Sequence, residues 1–136
     1  MLNTIIDRFI SELRAFGSEP VYSSFDAIPI VKKNSGIYTI VGIESFESTA
    51  PVYSPYIVYI PFKADISVKV TAPPDYPLSR LYEYYSSRTA AAVGELSGLS
   101  CSLKKLSVKY DSNISRLVLT AVLSAGGITR IERSAE

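Results

Sequence analysis

The residues able to do covalent or proton-transfer chemistry are few, and their spacing assembles no catalytic constellation. Ser102-Leu103-Lys104-Lys105 matches S-x-x-K, in which a lysine beside a serine helps to deprotonate it, usually at the start of a helix. Here the four residues fall in a strand-like segment with no K-T-G partner downstream, so the match reads as coincidence. Cys101 would need an activating base, and the chain has no histidine to supply one, so a small buried hydrophobe is the better reading. Asp65, Glu44, Glu47, Asp75 and Asp111 offer carboxylates, but none stands in a ligand loop of known spacing, which leaves them as solvated or turn residues. The absence of histidine and the single cysteine also remove the usual transition-metal ligands. Asn113-Ile114-Ser115 reads as a turn rather than a glycosylation site, and Gly126-Gly127 lacks the strand-to-helix cradle that holds phosphates. The expectation is a protein that is not an enzyme, with no cofactor and no metal.

Function must then lie in surfaces. A chain of 136 residues suits one domain with a single core. Its 47% hydrophobic against 20% charged residues exclude a disordered polymer, and ten tyrosines favour aromatic contact surface. Fourteen basic and thirteen acidic residues leave a net charge of +1, too little clustered charge for specific nucleic-acid binding to be expected. No segment approaches the ~20 apolar residues of a membrane span, and no signal-peptide pattern stands at the start, so a soluble cytoplasmic protein is expected.

The elements that position these surfaces follow from periodicity. Leu2, Ile5, Ile6, Phe9, Ile10, Leu13 and Phe16 recur at three- and four-residue spacing, predicting an amphipathic helix over 3–16 that ends at Gly17. The next stretch holds Pro20, Pro29, Asn34 and Gly36 and predicts an irregular crossing, with at most a short strand near Ile28 to Val31. Ile37 to Phe46, apolar on both faces, reads as a strand that is central or covered on both sides. Tyr56 to Thr71 alternates, with Tyr56, Val58, Ile60, Phe62, Ala64, Ile66, Val68 and Val70 on one face and Lys63, Asp65, Ser67 and Lys69 on the other. A strand of that length reaches ~50 Å, which predicts a bulge, bend or edge position at Pro61. After the Pro73-Pro74 turn, Leu78, Leu81, Tyr82, Tyr85, Thr89, Ala92, Val93 and Leu96 mark the buried stripe of a second helix ending near Gly98. Leu103, Leu106, Val108 and Tyr110 follow as a strand with a register change around Lys104-Lys105, then Ile114 to Ala125 as its partner. Gly126-Gly127 predicts a further turn, leaving a short strand or a flexible C-terminal arm over 128–136. The sum is one α+β domain over 1–136, a mostly antiparallel sheet flanked by two helices in the order α-β-β-α-β-β.

Two places could meet a partner. The long hairpin tip near 47–55 carries Pro51, Val52, Tyr53 and Pro55 between stiffening prolines, and either docks a partner or folds back over its own sheet. On the second helix, Arg80, Tyr84, Arg88 and Glu95 line up opposite the predicted core stripe. They form either a solvated face whose arginines stack on Tyr84, or a subunit contact.

This order of features, a helix from Asn3 to Phe16, paired strands at Ile37 to Phe46 and Tyr56 to Thr71, a helix from Leu78 to Leu96 and a closing hairpin from Leu103 to Ala125, resembles the tail-terminator and tail-completion proteins of tailed bacteriophages and prophages. The resemblance implies a non-enzymatic virion component, made in the bacterial cytoplasm, that caps the finished tail tube and joins it to head-completion proteins. It also implies self-association into a hexameric ring, for which the hairpin tip and the Arg80, Tyr84, Arg88 face are the candidate patches. The competing reading is a small cytoplasmic adaptor that binds a peptide or protein along a strand edge, with Tyr56 to Thr71 as the candidate strand.

Overall fold

The computed structural model describes residues 2–17, 21–23, 36–94, 99–112 and 114–132. In chain order the elements are α1 (Leu2–Ala15), β1 (Val21–Ser23), β2 (Tyr38–Ser48), β3 (Val52–Tyr53) and β4 (Ile57–Ala72), then α2 (Leu78–Tyr84), a π-helical turn (Tyr85–Thr89), α3 (Ala90–Gly94), β5 (Ser100–Asp111) and β6 (Arg116–Glu132). They build one six-stranded sheet ordered β1-β2-β4-β6-β5, with β3 also paired to β4. Every pairing is antiparallel except β1 with β2.

The class stands as mixed α and β in a single domain, but the element order departs from α-β-β-α-β-β by two short strands. β1 is three residues held parallel to Thr39, Ile40 and Val41, too short to show any period. β3 lies inside the hairpin tip, where two residues pair with Tyr59 and Val58. The strand expected near Ile28 to Val31 and the helix end at Gly98 fall outside the described residues.

β4 and β6 are the spine, paired from Ile57 with Glu132 to Ala72 with Leu117. Gly126-Gly127 makes no turn, and Ile128 to Glu132 continue β6 as a strand rather than forming a loose arm. A Cβ on Gly127 would come within 2.8 Å of the Phe62 ring, so glycine is needed there for close approach and not for chain reversal. Pro61 sits within β4, where its carbonyl accepts from the Thr49 N–H at 2.9 Å. Its ring nitrogen faces the same side, at the break between β2 and β3, so the missing donor interrupts no ladder.

Both β2 and β5 carry a bulge, at Glu44 between the rows of Asp65 and Ile66 and at Lys104 between the rows of Ile66 and Ser67, so the two flank the row of Ile66. The register change expected at Lys104-Lys105 is thus present. Even-numbered residues of β4 from Phe62 to Ala72 are buried beneath the helices. Ile5, Phe9 and Leu13 of α1 and Ala92 of α3 close over Val41, Ile66, Val68 and Leu123, while Leu81 and Tyr84 of α2 close over Val70, Ala72 and Leu119. Gly17, at φ +87°, ends α1 in the left-handed conformation that glycine tolerates best. On the opposite face Arg116 is buried over the Tyr38 ring, 4.6 Å from its centroid, and donates to Thr71 Oγ1 and to the Gly36 carbonyl.

Candidate protein interface

β4 and β6 outrun the rest of the sheet. β2 stops opposite Phe62 and β5 stops opposite Gly126, so Ile57 to Pro61 and Ile128 to Glu132 continue with only β3 beside them among the described strands. This three-stranded ribbon has no buried residue, because no described helix reaches it. Its tip is well tied: Ser54 N and Oγ both donate to the Ile57 carbonyl at 2.9 and 2.7 Å, and Ile57 N donates back to Ser54 Oγ at 3.1 Å. The two readings of the tip therefore combine. Its backbone lies down on β4, yet Tyr53 remains 68% exposed, and Pro51, Val52 and Pro55 are exposed with it.

The register assigns the ribbon's side chains to faces. Tyr53, Val58 and Ile131 form one row on the helix side, while Val52, Tyr59 and Arg130 form the row behind it, with Ile128 next to them. Arg130 lies over the Tyr59 ring at 5.7 Å. Tyr56, Ile128 and Ile131 are exposed apolar residues that sequence reasoning did not place here. The signal available was length: a strand too long for its body needs a partner of equal length, and the residues after Gly127 supply it.

The helical candidates divide. Arg80 and Arg88 are exposed, but Tyr84 is only 9% exposed and belongs to the core over Val70 and Leu119. The π-helical turn causes this correction. With about one residue more per turn, the buried positions run Leu81, Tyr84, Thr89, Ala92, and Leu78 and Tyr82 of the expected stripe turn outward instead. Arg88 stacks on Tyr84 at 4.7 Å and donates from Nη1 to the Gly17 carbonyl at 3.1 Å, so its contacts are within the chain. Arg80, Arg88, Tyr76 and Glu83 line an open hollow of about 240 Å³. Glu95 lies outside the described residues. The hairpin tip and this face stand near opposite ends of β4, about 40 Å apart, so one subunit does not bring them together.

A further exposed apolar row runs along β5. Leu103, Leu106, Val108 and Tyr110 share the helix side of this edge strand, and all but Val108 are exposed. On its other side Lys104 Nζ lies 2.9 Å from Asp65 Oδ2, two strands away. That hydrogen bond is the main cause holding the Asp65 carboxyl below, and the Lys104 ammonium above, their ordinary values. Burial raises the Cys101 thiol despite the nearby charge of Arg8, the reverse of what a nucleophile needs. Among the described residues no group of three or more His, Cys, Asp or Glu gathers, and no helix is long and apolar enough to cross a membrane.

Neither a known protein family nor a curated protein matches this sequence. Among solved structures, the chain is similar to the sheath/tube terminator, in its extended state, of the extracellular contractile injection system PVC, with a TM-score of 0.55 at 10% identity. That match covers 98% of this chain and 58% of the terminator, so the chain spans less than two thirds of its length, and the likeness is one of fold. The core region of PilO from the type IV pilus system of Pseudomonas aeruginosa also matches, with a TM-score of 0.29 at 14% identity over 83% of this chain and 97% of that one. A second PilO structure from the same organism gives a TM-score of 0.32 at 11% identity over 95% and 68%.

Proposed function

We propose that this protein is a non-enzymatic assembly component of a phage or prophage particle, a terminator that caps a tail tube and joins it to head-completion proteins. The observation that carries the reading is the ribbon of β3, β4 and β6, which projects exposed Tyr53, Tyr56, Ile128 and Ile131 beyond the helix-covered core. Apolar side chains stand exposed on both faces of this ribbon, and no described helix covers either. The terminator-like fold supports the reading.

In this reading copies of the chain close into a ring, a hexamer by the phage resemblance, with heterologous contacts between neighbours. The chain acts in the bacterial cytoplasm and remains in the finished virion. The test is light scattering at rising concentration, with and without assembled tail tubes from the same particle. Wild type should form a closed oligomer or sediment with the tubes, and Tyr53→Ala should do so at least several-fold more weakly. A chain that stays monomeric and ignores the tubes at every concentration overturns the reading.

A second reading, a strand-edge adaptor, loses the edge expected over Tyr56 to Thr71, because β4 is paired on both sides, and draws instead on β5, which pairs on one side only among the described strands. The Lys104 bulge and exposed Lys105 and Lys109 are devices that discourage added strands, which ranks this reading below the first.

A further inference from the structure

The face of the sheet turned away from the helices gathers lysines from two strands around a third. The register puts Lys69 of β4, Thr120 of β6 and Ser107 of β5 in one row across it, with Lys105 and Lys109 two residues to either side of Ser107. With Lys104 and Val122 they line an open hollow of about 600 Å³ that has Glu44 and Asp65 at one end. Lys104 answers those two carboxylates: its Nζ lies 2.9 Å from Asp65 Oδ2, and the charge of Glu44 acts on it as well. Lys69, Lys105 and Lys109 are exposed and have no charged partner among the described residues. At about 4.8 Å between strands and about 3.3 Å per residue along them, these three stand about 12–13 Å apart at their Cα atoms, around the Ser107 and Thr120 hydroxyls. A net charge of +1 conceals this cluster because it averages over the whole chain. Protection of a sheet edge accounts for Lys105 and Lys109 on β5, but not for Lys69, which stands on a strand paired on both sides.

We propose that this hollow holds the phosphate backbone of a nucleic-acid duplex, without reading its sequence, through Lys69, Lys105 and Lys109. Charge complementarity calls for an anion, and the composition of the face selects which. A protein partner fits it poorly. Protein interfaces are depleted in lysine and anchored by buried aromatic side chains and arginine, whereas Val122 is the one apolar side chain lining the hollow among the described residues. A single strand fits poorly as well, because unpaired bases stack on aromatic rings and none lines the hollow among the described residues. Separate ammonium groups on flexible stems, with hydroxyls between them, suit phosphate oxygens repeated at short intervals along a duplex. One subunit supplies every contact, so binding does not require an assembled ring.

The test is fluorescence anisotropy of a labelled DNA duplex of about 20 base pairs, titrated with the full-length chain. Three phosphate contacts give a slope of log K against log salt near −2.7, so affinity should fall about 40-fold between about 50 and 200 mM salt. Lys69→Gln, Lys105→Gln and Lys109→Gln should each weaken binding and reduce that fall to about 12-fold. They should do so equally on A·T-rich and G·C-rich duplexes, with melting temperature unchanged. Lys63→Gln makes the same charge change on the same face of β4 but beyond Asp65, and should keep the full salt dependence. A Lys63→Gln variant that loses as much of the slope as Lys69→Gln would mean attraction to overall charge rather than to the hollow, and overturns the proposal. Poly-glutamate or phosphatidylserine vesicles that compete as well as unlabelled duplex at equal charge overturn it too, giving the face to an acidic protein or a lipid surface. Absence of binding at about 50 mM salt also overturns it. Each of these results leaves the assembly reading, which light scattering decides, where it stands.

Discussion

Arg88 lies across the face of Tyr84, its guanidinium carbon 4.7 Å from the ring centroid, and closes the same hydrogen bond to Gly17 that ties the π-helical turn to the end of α1. Beneath it the Tyr84 hydroxyl is buried with no hydrogen-bond partner among the described residues. The two residues should therefore respond in opposite senses. Arg88→Ala loses a surface cation–π contact and a hydrogen bond, about 1–2 kcal/mol together, and should lower the melting temperature by several degrees. Tyr84→Phe removes the unsatisfied oxygen while keeping the ring, and should leave stability unchanged or raise it by up to about 1 kcal/mol. Urea titrations of the two variants decide the matter, and a marked loss in Tyr84→Phe would contradict the buried, unpaired hydroxyl.

Leu81 and Tyr82 are adjacent in sequence and opposite in fate. Leu81 is fully buried over Val70 and Leu119, whereas Tyr82 is exposed. Leu81→Asp places an unpaired charge in the core, costs several kcal/mol and should leave the domain unfolded by circular dichroism. Tyr82→Asp should change stability by less than about 0.5 kcal/mol. Equal behaviour of the two would mean that the helix face is wrongly assigned.

Gly127 is required by Phe62. A methyl at position 127 would meet the Phe62 ring at 2.8 Å, and that ring cannot slide freely because it stacks on Phe46 at 5.4 Å. Gly127→Ala should cost about 1–3 kcal/mol by overpacking. Adding Phe62→Leu to it should cost less than the sum of the single changes, and strict additivity in denaturant midpoints would show that the two positions do not touch.

The Asp65 and Lys104 pair gives stability a pH dependence at both ends. Asp65 is held below its ordinary 3.8, so the unfolded chain takes up the proton first. The stabilisation is complete above about pH 4 and is lost as pH falls toward the folded value. Lys104 is held above its ordinary 10.5, so its contribution is present below that pH and is lost as pH rises through the folded value. Asp65→Asn should flatten the acid limb, and Lys104→Met should flatten both. The differences should shrink in about 1 M salt, because Lys104 is well exposed. Variants that track wild type at low salt from pH 2 to 5 would show that the pair contributes nothing.

Much of the scaffold was legible because its periods are long. The spacing of Ile5, Phe9 and Leu13 gives α1, and the alternation from Phe62 to Val70 gives the buried face of β4. What was hidden has local causes. β1 is three residues whose parallel partner is set by tertiary contact and not by any repeat. The π-helical turn at Tyr85–Thr89 rephases the second helix, and a 3.6-residue period applied across it puts Tyr84 outside and Leu78 and Tyr82 inside. Gly126-Gly127 carries the dipeptide of a turn but serves close packing against Phe62. The candidate interface was half visible: Val52 and Tyr53 stand out between prolines, but Ile128 and Ile131 join them only through the ladder to β4.

That ladder also determines how the molecule carries load. β4 and β6 pair without a break from the ribbon tip to the strand ends beneath α2. A pull on the ribbon along the strand axis is therefore resisted by the whole row of backbone hydrogen bonds in shear, instead of opening them one at a time as a zipper would. No bulge interrupts this pair, since both bulges fall on the flanking strands, so there is no compliant joint between the ribbon and the core. A subunit gripped by its ribbon would transmit tension to its far end as a stiff beam, and it should fail by slipping from its partner before it unravels.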